Sequence, residues 1–99
     1  MNKMKELELS AIKELIQIYE FFLMNGLNKN TSKKARAIYN KLTPGNTLLS
    51  ESVNIAVGKL FALAYPNKDP NLKMLKNGEV KKIILNLKKR KQELENEQS

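Results

Sequence analysis

The sequence predicts an all-α protein, an antiparallel up-and-down four-helix bundle with a short extra helical turn before the last helix. Apolar residues recur at steps of three and four through four separate segments. Turn residues divide those segments at Asn25-Gly26, Thr43-Pro44-Gly45-Asn46, Tyr65-Pro66 and Asn77-Gly78. No run alternates with the period of two that a half-buried strand requires, and no internal repeat occurs. The 99 residues suffice for one core but not two, so 1–99 reads as a single domain with a polar tail from about residue 92.

The first helix is expected from about Met4 to Met24. Its stripe is Met4, Leu7, Ala11, Ile12, Leu15, Ile18, Tyr19, Phe22 and Leu23. Gly26 can take the left-handed position after the helix, with Leu27 as the apolar residue that follows, and Phe21 falls off the stripe. In "NKNTSKKARAIYNKL", Asn30, Thr31 or Ser32 can cap a second helix with a narrow seam of Ala35, Ile38, Tyr39 and Leu42. Lys33 and Lys34 in its first turn oppose the helix dipole.

The third helix is expected from about Leu48 to Ala64, closed by Tyr65-Pro66. Leu49, Val53, Ala56, Val57, Leu60, Phe61 and Ala64 form its buried face; Ile55, Ala62 and Leu63 widen it enough to make this the central element. Gly58 within it suggests a close approach of another helix. Asp69 as N-cap with Pro70 behind it starts the short helical turn, which Asn77-Gly78 interrupts. The last helix then runs from about Glu79 into the 90s on a seam of Val80, Ile83, Ile84 and Leu87, and "QELENEQS" is expected to fray.

Composition narrows the setting. Apolar residues make up 41% and charged residues 28%, as in a folded domain rather than a disordered tail. Eighteen basic against ten acidic residues give a net charge of +8, which favours anionic partners: nucleic acid, lipid headgroups or an acidic protein surface. There is no cysteine, which fits a reducing compartment. The start "MNKMKELELSAIKELIQ" alternates charge with apolar residues, unlike a secretory leader, and the longest apolar run, Leu60 to Tyr65, is too short for a bilayer. The expected location is the cytoplasm.

The most basic passage is "KKIILNLKKRK", residues 81–91. At about 100° per residue, Val80, Ile83, Ile84 and Leu87 share one side of the last helix. Lys81, Lys82, Lys88, Lys89 and Arg90 spread around the rest, and Lys91 falls on the seam, where its stem can lie along the core while its head reaches water. Leu85 stands alone among the outward lysines. These six residues, Lys81, Lys82, Leu85, Lys88, Lys89 and Arg90, are the candidate partner-binding set. A solvated, solubilising face is the competing reading of the same charge.

Several chemistries lack their residues. Without histidine or cysteine most metal sites and the commonest general base are missing, and no glycine-rich phosphate loop occurs. No catalytic set, cofactor site or metal site is expected. Residues 31–64 have the outline of a helix-turn-helix. The would-be recognition helix offers only Ser50, Glu51, Ser52, Asn54 and Lys59 as polar residues, with no arginine to read guanine. Nor does any aromatic lie beyond Pro66 to stack on bases. The sequence argues against nucleic acid as the partner, except for non-specific contact through lysines.

The passage "KKARAIYNKL", the apolar "LLSESVNIAVGKLFALAY" and the basic final helix together resemble the bacteriocin immunity proteins of the enterocin A immunity type, over residues 5 to 91. That resemblance implies a four-helix bundle in the cytosol of a Gram-positive bacterium, with peripheral contact at the inner face of the membrane. It implies a partner as well: the membrane receptor of a pore-forming peptide, a sugar-transport permease with bacteriocin bound. In that family the C-terminal half sets which bacteriocin is countered. The alternative is a small basic helical protein, nucleic-acid-associated or regulatory, including one of phage origin.

Overall fold

A computed structural model describes residues 3–44, 49–68 and 75–97. Among them are four helices and no strand: α1 (Lys3–Asn25), α2 (Lys29–Leu42), α3 (Glu51–Ala64) and α4 (Asn77–Glu97). Each helix packs on its neighbour in chain order and α4 returns to α1, while α3 also reaches α1 across the centre. That circuit is the up-and-down bundle the four seams predict.

Pairings along three of the interfaces show antiparallel neighbours. Glu14 meets Lys41 and Phe21 meets Lys34 between α1 and α2. Tyr39 packs on Phe61, and Arg36 reaches the Ala64 carbonyl, between α2 and α3. Between α1 and α4, Lys5 pairs with Glu97, Glu8 with Arg90 and Glu20 with Lys88.

The core follows the seams. Ile12, Leu15 and Tyr19 from α1, Val53, Val57, Leu60 and Leu63 from α3, and Val80, Leu87 and Leu94 from α4 are essentially inaccessible to water. Burying each such aliphatic side chain stabilises the fold by about 1.5–3 kcal/mol. The Tyr19 hydroxyl donates to the Ala56 carbonyl at 2.6 Å, fixing the central contact of α1 with α3, and burial pushes this phenol well above its ordinary pKa. Tyr39, Phe61 and Tyr65 form a second, half-buried cluster with ring centroids 5.3–6.1 Å apart.

Helix ends depart from the sequence expectations in instructive ways. Gly26 is left-handed at φ 74°, as expected of the residue that stops α1. The cap of α2, however, is Asn28, whose Oδ1 accepts from the Thr31 amide at 3.0 Å. Thr31, a candidate cap, is instead fully buried and donates its hydroxyl to the Gly26 carbonyl at 2.6 Å, tying the helix to its own turn. α3 begins at Glu51, behind Ser50, rather than at Leu48. The end of "TPGN", Leu48, the Asp69-Pro70 start and most of the extra helical turn lie outside the described residues.

Six further expectations are corrected. Met4 and Leu7 are 42% and 57% exposed, because the buried line of early α1 runs through Glu8. Ile16, off the expected stripe, is buried. Ile55 is exposed, since α3 keeps one strip, Glu51, Ile55, Gly58 and Lys59, in water. Gly58 lies on that strip with open space where a side chain would stand, so it admits no close helix approach. The last helix begins at Asn77 rather than Glu79, taking in Gly78, and it continues through the tail expected to fray as far as Glu97, where Leu94 is fully buried.

Candidate functional site

On α4 the seam of Val80, Ile83, Ile84 and Leu87 resumes at Leu94, and all of its members are buried. The opposite side is therefore the outward one. Leu85 lies there, 67% exposed. On a helix the surface neighbours of a residue are those three and four positions away. For Leu85 those four are Lys82, Lys81, Lys88 and Lys89, every one of them exposed. An apolar side chain ringed by four cations is thus held on a rigid element whose other side is core.

Acidic side chains barely dilute this ring. Lys88 Nζ lies 3.4 Å from Glu20 Oε2, with both side chains about half exposed, so the pair is a weak one. Lys89 borders a shallow pocket between α4 and α3 that Glu51, Ile55, Ile83 and Glu93 also line. Lys91, on the seam, extends outward to within 3.9 Å of Glu95.

Arg90 leaves the expected set. Its Nε donates to Glu8 Oε2 at 2.8 Å and its Nη2 to Glu8 Oε1 at 3.2 Å, with Glu93 3.6 Å from Nη1. Its side chain is only 25% exposed, and Glu8 is 6% exposed. The bond to Glu8 raises the Arg90 pKa further. Burial works to raise the Glu8 carboxyl, but the two bonds and the charge of Arg90 outweigh it and hold that carboxyl below the usual range. Arg90 joins α4 to α1; it is structural.

The charge is also divided along the bundle axis. Where α1 and α3 begin and α4 ends, Glu6, Glu8, Glu51, Glu93, Glu95 and Glu97 face the local cations. At the other end, where α2 and α4 begin, Lys29, Lys33, Lys34, Lys76, Lys81 and Lys82 meet only Glu20 and Glu79 among the described carboxylates. The ring around Leu85 reaches into that cationic end. Among the described residues no group of three carboxylates comes together to hold a metal, and no helix is long and apolar enough to cross a membrane.

No family model matches this chain, and neither a curated protein nor a solved structure does.

Proposed function

We propose that the chain is an immunity-type binding protein, which protects a cell from a pore-forming peptide by engaging the receptor of that peptide at the inner face of the membrane. The observation that supports this most is the ring of Lys81, Lys82, Lys88 and Lys89 around exposed Leu85. Cations beside an anionic leaflet contribute about 1 kcal/mol each, which concentrates a protein near a membrane target. A central apolar side chain then supplies the desolvated contact on which interface energy concentrates. The two together describe an interaction surface and need no reacting group.

The test is protection. The chain is expressed in sensitive Gram-positive indicator strains, which are challenged with a panel of small bacteriocins. Resistance to one peptide, lost when Leu85 and its lysines are replaced, is the expected result. Sensitivity in every strain, with the protein accumulating folded, would overturn the immunity reading. Salt-steep binding to arbitrary DNA in its place would favour a nucleic-acid role.

A further inference from the structure

A second basic feature lies away from α4. A cleft of about 550 Å³ opens between the first two turns of α2 and the segment that follows α3. That volume falls within the range of small-molecule sites. One wall carries Lys29, Ser32, Lys33 and Arg36. Their spacing of three, four and seven puts them on a single face of the helix. Leu27 and Asn28 flank it on one side, Pro66 and Asn67 on the other, and no carboxylate among the described residues lines it.

Three properties of this wall point to an anionic ligand. Lys29 and, one turn on, Lys33 stand at the N-terminal end of α2, against the helix dipole, where cations are unfavourable for the free protein and an anion is favoured. Arg36 is fixed rather than free: its Nη1 donates to the Ala64 carbonyl at 3.2 Å, which leaves its other donors for a ligand. Ser32 is only 6% exposed, yet its hydroxyl makes no hydrogen bond within the protein. Its oxygen keeps contact with the solvent of the cleft it lines, so it is free to donate to a ligand there. The amide nitrogens of Thr31 and Ser32 are already taken by Asn28, so side chains rather than the helix terminus would do the binding.

We propose that this cleft binds a phosphate-bearing small molecule. Lys29, Lys33 and Arg36 would surround the phosphate oxygens, Ser32 would donate its hydroxyl to one of them, and Leu27 and Pro66 would border the organic part. A phosphate monoester suits three donors of fixed and flexible kinds better than a monoanionic carboxylate does. Two sources share this chemistry, a soluble phosphometabolite and a lipid headgroup. The site does not depend on the role proposed for the ring around Leu85.

The test uses the full chain and soluble probes: inorganic phosphate, glycerol 3-phosphate and a short-chain phosphatidic acid kept monomeric, followed through the backbone amides of residues 29–36. Saturable binding is expected, weakened about tenfold by Lys29→Ser with Lys33→Ser. Ser32→Ala should weaken it roughly threefold while leaving the protein folded, because the hydroxyl makes no hydrogen bond within the protein and alanine keeps the helix. Lys82→Ser with Lys89→Ser removes the same charge from α4 and should leave phosphate binding unchanged. Tighter binding of the phosphatidic acid than of glycerol 3-phosphate identifies a lipid headgroup; equal binding identifies a soluble phosphate. Absence of saturable binding to all three probes would overturn the proposal. So would succinate binding as tightly as phosphate, or an equal loss in the α4 variant.

Discussion

Arg90 of α4 and Glu8 of α1, 82 positions apart in the chain, are joined by two hydrogen bonds that close the bundle at its acidic end. A residue from the most basic passage of the sequence thus serves the fold. The pair is largely withdrawn from water, so each member neutralises a charge that would otherwise be costly to bury.

Removing one partner should therefore hurt more than removing both. Arg90→Met leaves the Glu8 carboxylate buried and unpaired, and should lower unfolding free energy by about 3 kcal/mol. Glu8→Met combined with Arg90→Met should return to within about 1 kcal/mol of the parent, because two apolar side chains can fill the same space. Urea unfolding of the four proteins in the cycle measures this. A double variant as weak as Arg90→Met would mean that the site cannot repack without its charges.

The same pair sets an acid limit. Since Glu8 is held below the ordinary glutamate value of 4.5, its contribution is fully present above that pH and is lost as pH falls through the lower, folded value. Melting temperature should fall steeply below about pH 4.5, and Glu8→Gln should flatten that part of the profile. Thermal melts across the acid range test it; an unchanged slope in the variant would place the acid-sensitive carboxylate elsewhere.

The bundle itself was legible because its seams obey a simple rule: Leu15, Leu60, Ile84 and Leu87 recur at helical spacing and are buried. The outward lysines around Leu85 were legible for the same reason, as the complement of that seam. Glu8 and Arg90 were not, because a charged residue at a seam position reads as solvent-facing until its partner is brought beside it. The polar run around Leu94 hid one apolar anchor, and a single leucine gives no periodicity. The α2 cleft joins residues from two distant turns, Asn28 and Asn67, whose proximity only the packing of α2 on α3 creates.

Leu94 makes the C-terminal segment part of the fold. Leu94→Ala should cost about 2–5 kcal/mol, and deleting residues 92–99 should cost at least as much. Lys5, which pairs with Glu97, loses its partner in the deletion too. Circular-dichroism melts of both variants decide the point. A truncated protein that melts like the parent would show the segment to be an appendage.

Gly58 offers the opposite kind of change. It is helical and exposed, and an added methyl group would meet open space. Gly58→Ala should stabilise the protein by about 0.5–1 kcal/mol, through helix propensity and a less flexible unfolded chain. That corresponds to roughly 2–8 °C in Tm for a domain of this size. A lower Tm would reveal a contact at this strip of α3.

The ring on α4 should be separable from folding. Lys82, Leu85 and Lys89 are exposed, and none of them supports the core, so replacing all three with serine should leave stability almost unchanged, within about 0.5 kcal/mol per site. Binding to anionic vesicles should respond instead. Losing Lys82 and Lys89 removes about 2 kcal/mol of electrostatic attraction, roughly a 30-fold drop in partitioning. Leu85→Ser alone should cost roughly tenfold if the side chain is desolvated on binding. The lysine effect should shrink as salt is raised, since screening shortens the reach of exposed charges, whereas the leucine effect should persist. Vesicle sedimentation at two ionic strengths separates the two contributions. If the triple-serine protein unfolds, α4 is buried on both sides. If it stays folded and partitions like the parent, the lysines of α4 are a solubilising face, and the membrane-proximal role proposed for them fails.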